Sequence, residues 1–185
     1  MLLDGQCVVP AVNNMRSFEK LLQQPFRNLI ILDSHLSQIG TMVKMGKEKG
    51  KKIFLHADLI QGLKSDLPAA EFICQNLRPY GLISTRSSVL DVAKKRGLKT
   101  VQRIFLLDSR SLETGYRLLE QVQPDMVEIL PGVIPEMIRQ VVNDVRVPVI
   151  AGGLIHSEHG VCAALEAGAT AISTSNTSLW TFDAK

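Results

Sequence analysis

Cysteine is scarce in this chain. Cys7, Cys74 and Cys162 are scattered through 185 residues, each among apolar neighbours. They form no C-x-x-C and no Cys/His cluster, which excludes a disulfide framework or a local zinc motif and predicts reduced core thiols. Aromatic residues make up 5% of the chain, too few for a stacking platform along single-stranded nucleic acid. No apolar run approaches the roughly 18 residues of a membrane span, and Met1-Leu-Leu-Asp4 does not read as a signal peptide. A cytoplasmic protein without a membrane partner is therefore expected. No G-x-G-x-x-G follows the first apolar run, which argues against a doubly wound dinucleotide-binding sheet. Neither sign of charge dominates: the net charge is +3, so any nucleic-acid partner has to be argued from where the cations lie.

What the chain does have is a regular alternation of short apolar runs with stretches of helical period, the pattern of repeated βα units. The runs are Cys7–Ala11, Leu29–Asp33, Ile53–Asp58, Gly81–Thr85, Thr100–Ile104, Met126–Leu130, Val147–Gly153 and Ala169–Asn176. Between them lie amphipathic stretches such as Ile134, Met137, Ile138, Val141 and Val142, which follow the i, i+3, i+4, i+7, i+8 spacing of a helix face. Eight such units predict an α/β fold, a compact (β/α)8 TIM-type barrel with short loops. A single domain would occupy residues 1–185. The length is short for a fold that typically takes about 250 residues, so accessory elements have to be few.

In such a barrel the functional side chains gather at the C-terminal ends of the strands, and a phosphate site commonly forms in the loops after strands 7 and 8. Here strand 7 ends in Gly152-Gly153 and strand 8 runs into Ser175-Asn176. Glycine lets backbone N–H groups approach a phosphate closely. These four residues are the predicted phosphate-binding set. The other strand ends supply Asp33 and Ser34, His56 and Asp58, Ser84 and Thr85, Gln102 and Arg103, and Glu128. Asp33, His56, Asp58 and Glu128 are the candidates for the rest of a small phosphorylated ligand. His56 and Asp58, two apart on a strand, are expected to share a side. Asp33, Ser34 and Thr85 precede helices and could also serve as caps.

No lysine stands at the C-terminal end of a strand, so Schiff-base chemistry is not indicated. No catalytic residue, metal or cofactor is assigned on spacing. Two functions remain open at this point: a non-catalytic ligand-binding protein, and an isomerase, lyase or synthase using Asp58, His56 and Glu128 as acid and base.

The cations cluster elsewhere. Lys47, Lys49, Lys51 and Lys52 run from helix 2 into strand 3, Arg78 follows helix 3, and Lys94, Lys95, Arg96 and Lys99 link helix 4 to strand 5. All fall on the N-terminal face of a barrel, where they would merge into one basic rim. Such cations complement helix C-termini. They also suit an anionic macromolecule, and structured RNA contacted through its phosphates fits best. The pattern is compatible with a homo-oligomer but gives no exposed apolar stripe separable from the core.

Five segments carry a family resemblance: HADLIQGLKSD (His56 to Asp66), GLISTR (Gly81 to Arg86), QRIFLLDS (Gln102 to Ser109), VEILPGVIP (Val127 to Pro135) and VPVIAGGLI (Val147 to Ile155). In this order, over almost the whole chain, they resemble the glycerol-uptake operon antiterminator regulatory proteins. The resemblance implies a barrel that responds to glycerol 3-phosphate and acts on the leader mRNA of glycerol-metabolism genes. The liganded protein would favour transcription through a terminator. Glycerol 3-phosphate is then the effector, and no further cofactor is expected.

Overall fold

The computed structural model describes residues 2–182. Each short apolar run forms a parallel strand, and the strands follow one another around the sheet in chain order. They are β1 (Val8–Val12), β2 (Asn28–Ile31), β3 (Lys52–His56), β4 (Gly81–Ser84), β5 (Lys99–Phe105), β6 (Met126–Leu130), β7 (Val149–Gly152) and β8 (Ala171–Thr174). Pairing of Val8 with Ile172 and of Ala11 with Ile30 closes the sheet into a barrel. Among the described residues, seven α-helices pack outside: α1 (Met15–Leu22), α2 (Leu36–Glu48), α3 (Leu67–Phe72), α4 (Ser87–Lys95), α5 (Ser109–Val122), α6 (Pro135–Asp144) and α7 (Glu158–Glu166). After β8 comes a 3₁₀ turn, Thr177–Leu179, in place of an eighth helix. Trp180 Nε1 pins it by donating to the Thr174 carbonyl at 3.0 Å.

The strands read as almost continuous apolar runs because both of their faces are covered. Val9, Ile30, Phe54, Ile83, Val101, Met126, Ile150 and Ala171 fill the barrel interior. The alternate residues face the helices: Leu29, Ile53, Leu55 and Leu82 pack with Phe18, Ile39, Val43 and Val89 on one side. On the other side Val127, Ile129, Val149 and Ile172 pack with Leu112, Ile138, Val141 and Val161. Period 2 along a strand then fixes what comes next. Two residues beyond Phe54, Val101, Met126, Ile150 and Ala171 stand His56, Arg103, Glu128, Gly152 and Ser173. The apolar plug is thus roofed by a polar layer at the C-terminal end of the barrel.

Helix starts differ in detail from the expectation. Asp33, Ser34 and Thr85 do not cap. The chain past β2 instead forms a two-residue ladder, Ser34–His35 with Ile60–Gln61, that braces neighbouring loops. His35 caps α2, its Nδ1 accepting from the Ser37 N–H, and α4 starts at Arg86 without a side-chain cap. Asn14, Asp66, Asp108 and Ser157 cap α1, α3, α5 and α7. The three thiols are free, and burial pushes that of Cys74 up to about 11. Among the described residues no helix is long and apolar enough to cross a membrane.

Candidate functional site

A cavity of about 260 Å³ opens at the C-terminal face above the polar layer. Its wall includes Arg103, Glu128, Gly153, His156 and the run Ser173–Asn176, with Leu130, Leu154 and Ile155 as its apolar part. Its electrostatic centre is a buried ion pair: Arg103 Nε donates to Glu128 Oε2 at 2.7 Å, with the side chains 8% and 1% exposed. Ser173 Oγ donates to the other carboxylate oxygen at 2.6 Å. Glu128 is therefore a buried anchor with both oxygens occupied. Arg103 is anchored through Nε, and its Nη groups have no protein partner among the described residues. A planar cation held this way at a cavity wall is suited to a carboxylate or phosphate.

Of the predicted phosphate set, Gly153, Ser175 and Asn176 line this cavity, and Gly152 lies directly beneath it. A Cβ on Gly152 would stand 2.6 Å from Ser173 Oγ and 2.9 Å from Glu128 Oε1, so only glycine leaves room for that hydrogen bond. Gly153 is left-handed (φ 76°), as is Leu154 (φ 62°) after it. This double reversal turns the loop over the cavity and leaves the Leu154 side chain 63% exposed at its mouth. A β-carbon-bearing residue in that region is strained, a feature common at binding loops. Asn176 is largely occupied with its own loop: its N–H donates to Thr174 Oγ1 at 3.1 Å, and its Oδ1 caps the 3₁₀ turn. The backbone at Gly153 and the Ser175 hydroxyl remain the more available donors of the four.

His56 belongs to the same inward layer. It is 2% exposed, and neither ring nitrogen has a protein partner. Burial, reinforced by the Arg103 charge, holds its pKa down to about 4, against the pull of Asp58 and Glu128. The imidazole is consequently neutral at pH 7, and its two nitrogens are unpaired within the protein. The unfolded chain takes up a proton near pH 6.5 and the folded chain does not until about 4. Stability from this group is complete above 6.5 and drains away as pH falls toward 4, by something on the order of 3 kcal/mol. Urea midpoints at pH 7 and pH 5 check this: the drop should shrink in His56→Gln, and an equal drop in both proteins would refute the assignment.

Of the four predicted ligand contacts only Glu128 lines the cavity: His56 lies buried in the inward layer and off its wall, and Asp58 and Asp33 are held elsewhere. β3 ends at His56, and the chain then enters a 3₁₀ turn (Ala57–Leu59), so Asp58 does not continue the strand's alternation. Its carboxylate accepts from Ser84 Oγ at 2.6 Å, from the Thr85 N–H at 2.7 Å and from Thr85 Oγ1 at 2.9 Å, clamping the β3 loop to the end of β4. Asp33 lies beyond the end of β2 and accepts from Gln61 Nε2 at 3.1 Å, in a separate pocket with Asn13, Asn14 and Gln38. Gln102 faces the helices, opposite in parity to Arg103, and donates to the Ser84 and Thr85 carbonyls. Arg103, Ser173, Thr174 and His156 line the cavity without having been assigned to it from sequence. Among the described residues no group of three or more His, Cys, Asp or Glu could hold a metal ion.

On the opposite face most of the basic rim has intramolecular partners. Lys47 Nζ donates to the Leu77 carbonyl, Lys51 to those of Gln24 and Phe26, and Lys94 to those of Val122 and Gln123. Lys47 and Lys94 thereby neutralise carbonyls at helical C-termini, and Lys51 ties down the loop after α1. Lys52 pairs with Asp4, Arg96 with Glu71 and Lys99 with Asp125, while Arg78 Nε bonds the Gln75 carbonyl. Lys49 and Lys95 make no such contact among the described residues and are exposed. Burial, then the Arg78 charge, lowers the pKa of Lys47, and burial, then Lys49, lowers that of Lys51. The pKa values of Lys52 and Lys99 are raised instead, by their hydrogen bonds to Asp4 and Asp125.

Fold and site together define a (β/α)8 barrel with a cavity of about 260 Å³ at its C-terminal face, walled by an anchored guanidinium and the loops after β7 and β8. Comparison with known proteins identifies the group. The family model for glycerol-3-phosphate responsive antiterminators matches residues 8–180, and the chain belongs to that family. A crystal structure of the glycerol uptake operon antiterminator regulatory protein from Listeria monocytogenes str. 4b F2365 is 39% identical, with a TM-score of 0.93 and 96% of each chain covered. A glycerol uptake operon antiterminator-related protein from Thermotoga maritima MSB8 is 30% identical, with a TM-score of 0.82, over 96% of this chain and 99% of that one. The Escherichia coli (strain K12) protein YgcP is 33% identical over 184 residues, covering 100% of this chain and 96% of its own.

Proposed function

We propose that the protein is a glycerol 3-phosphate-responsive regulator that, when liganded, binds the leader mRNA of glycerol-metabolism genes and promotes readthrough of a terminator. The observation that carries this reading is Arg103, a buried cation with free Nη groups on a cavity of about 260 Å³ framed by Gly153 and Ser175. A phosphate would meet the guanidinium, the backbone at Gly153 and the Ser175 hydroxyl. The glycerol hydroxyls would face the remaining polar wall of the cavity, Thr174 and His156. No lysine lines the cavity, and Glu128 and Asp58 have their oxygens engaged by protein donors. A ligand-sensing role without turnover, and without any cofactor besides the effector, fits that arrangement better than acid–base catalysis. Such a regulator acts where transcripts are made, in the cytoplasm.

Ligand can control RNA binding only by favouring the RNA-competent state, and couplings of this kind typically amount to about 5–150-fold in affinity. The test is binding of a leader transcript across a salt series, with and without glycerol 3-phosphate. Affinity should rise within that range when ligand is present and fall steadily with salt, as phosphate contacts require. A Lys49→Glu/Lys95→Glu variant should bind more weakly, since these two cations carry no structural contact to lose. Equal affinity with and without ligand, or binding indifferent to salt, would overturn the reading.

A further inference from the structure

A second cavity, about 580 Å³, lies between the C-terminal ends of α5 and α6, on the face opposite the ligand cavity. Its volume falls within the range of small-molecule sites, roughly 300–1,000 Å³. Leu119, Pro124, Val145 and Val147 supply apolar surface, and Tyr116 forms a wall. The ring is held in place because its hydroxyl donates to Asp144 Oδ2 at 2.6 Å. Glu120, Gln123, Asp144 and Arg146 supply polar groups around the apolar surface. An apolar pocket with an aromatic wall, edged by an amide, a guanidinium and carboxylate acceptors, has the chemistry that takes up an unstacked base.

The slot is also placed beside the cations. Lys94 Nζ donates to the carbonyl of Gln123, itself a lining residue, and Lys99 pairs with Asp125 just beyond Pro124. Lys95 is exposed on the same stretch. A polyanion tracking these lysines would run past the mouth of the slot. Its phosphates would be repelled by Asp144 and Glu120, so what enters is a base. The two carboxylates accept hydrogen bonds, which favours a base with an exocyclic amino group. Asp144 Oδ2 already accepts from Tyr116, and its second oxygen is left to accept from that amino group.

We propose that this slot binds one unpaired, amino-bearing base of the RNA whose phosphates lie along the Lys94–Lys99 side of the rim. The proposal rests on the RNA-binding reading given above and specifies where and how a base is read. Fluorescence anisotropy of the full chain, with glycerol 3-phosphate present, tests it with oligocytidylate and oligouridylate of equal length. The two probes carry the same charge, and only cytosine has the exocyclic amine. Oligocytidylate should bind about tenfold more tightly, the discrimination expected of a good base-edge contact. Asp144→Asn, which keeps a partner for Tyr116, should abolish that preference, and the exposed Arg146→Ala should weaken binding of oligocytidylate.

Equal affinity for the two probes in the wild type, or an undiminished preference in Asp144→Asn, overturns the base slot. If a leader transcript binds wild type and both variants alike, the slot is refuted while the RNA reading stands. If neither the transcript nor the oligonucleotides bind wild type, both fall together. Thermal melts of the variants establish that any loss is not unfolding.

Discussion

Glu128→Ala is expected to destabilise the protein by about 3–5 kcal/mol, read as a shift in the urea unfolding midpoint. The carboxylate is 1% exposed and holds Arg103 at 2.7 Å and Ser173 at 2.6 Å. Its removal leaves a guanidinium 8% exposed, with no counter-charge, beside the partnerless ring of His56. That uncompensated charge, and not the lost attraction itself, sets the size of the effect. Two controls isolate it. Glu128→Gln keeps the shape and an acceptor for Ser173, and should cost less. The double variant Arg103→Met/Glu128→Leu removes both charges, and should recover much of the stability while losing the cation at the cavity. A Glu128→Ala protein as stable as wild type would show that the pair has no part in holding the barrel's polar layer.

Arg103→Lys should leave the fold intact and weaken glycerol 3-phosphate binding by about 10–150-fold in calorimetric titration. This is the cost of losing a charge-assisted hydrogen bond worth roughly 1.5–3 kcal/mol. Lysine can still pair with Glu128, so the folding penalty above is avoided. What it cannot do is bind Glu128 through one nitrogen while offering two others, in a fixed plane, to the cavity. Arginine does both because its Nε alone is committed. Unchanged affinity in the variant would remove Arg103 from the binding account, and with it the observation that most strongly distinguishes this cavity.

The barrel itself was legible in the chain because strands buried on both faces leave short apolar runs at a regular spacing, and all eight runs fall on observed strands. The glycines after β7 and the hydroxyl and amide residues after β8 were legible for a similar reason: backbone constraints are local. Pairings across the barrel were not. Arg103 meets Glu128 through the register of β5 against β6, with the two residues directly opposed. Sequence places both at strand ends but says nothing of their contact. Asp33 and Asp58 carried the right chemistry and stood at the right end of the barrel. They were taken up by Gln61 and by Ser84 and Thr85, partners 26 to 28 residues away. The rim lysines behave likewise: Lys47, Lys51 and Lys94 reach carbonyls 25 to 30 residues distant, which only the stacking of successive βα units brings near. Alternation did contain one unused signal. Arg103 has the parity of Val101, an interior residue, and a cation at such a position must face the barrel's end.

The central claim is that the phosphate of glycerol 3-phosphate is held between the loops after β7 and β8, against Arg103. Titrating the ligand into ¹⁵N-labelled protein and following backbone amide shifts tests it most directly. The account predicts the largest saturable shifts at Gly152, Gly153, Ser175 and Asn176 and at the Arg103 side-chain Nε–H, with the N-terminal face little changed. Saturable shifts centred on any other part of the barrel, or none at all, would contradict it.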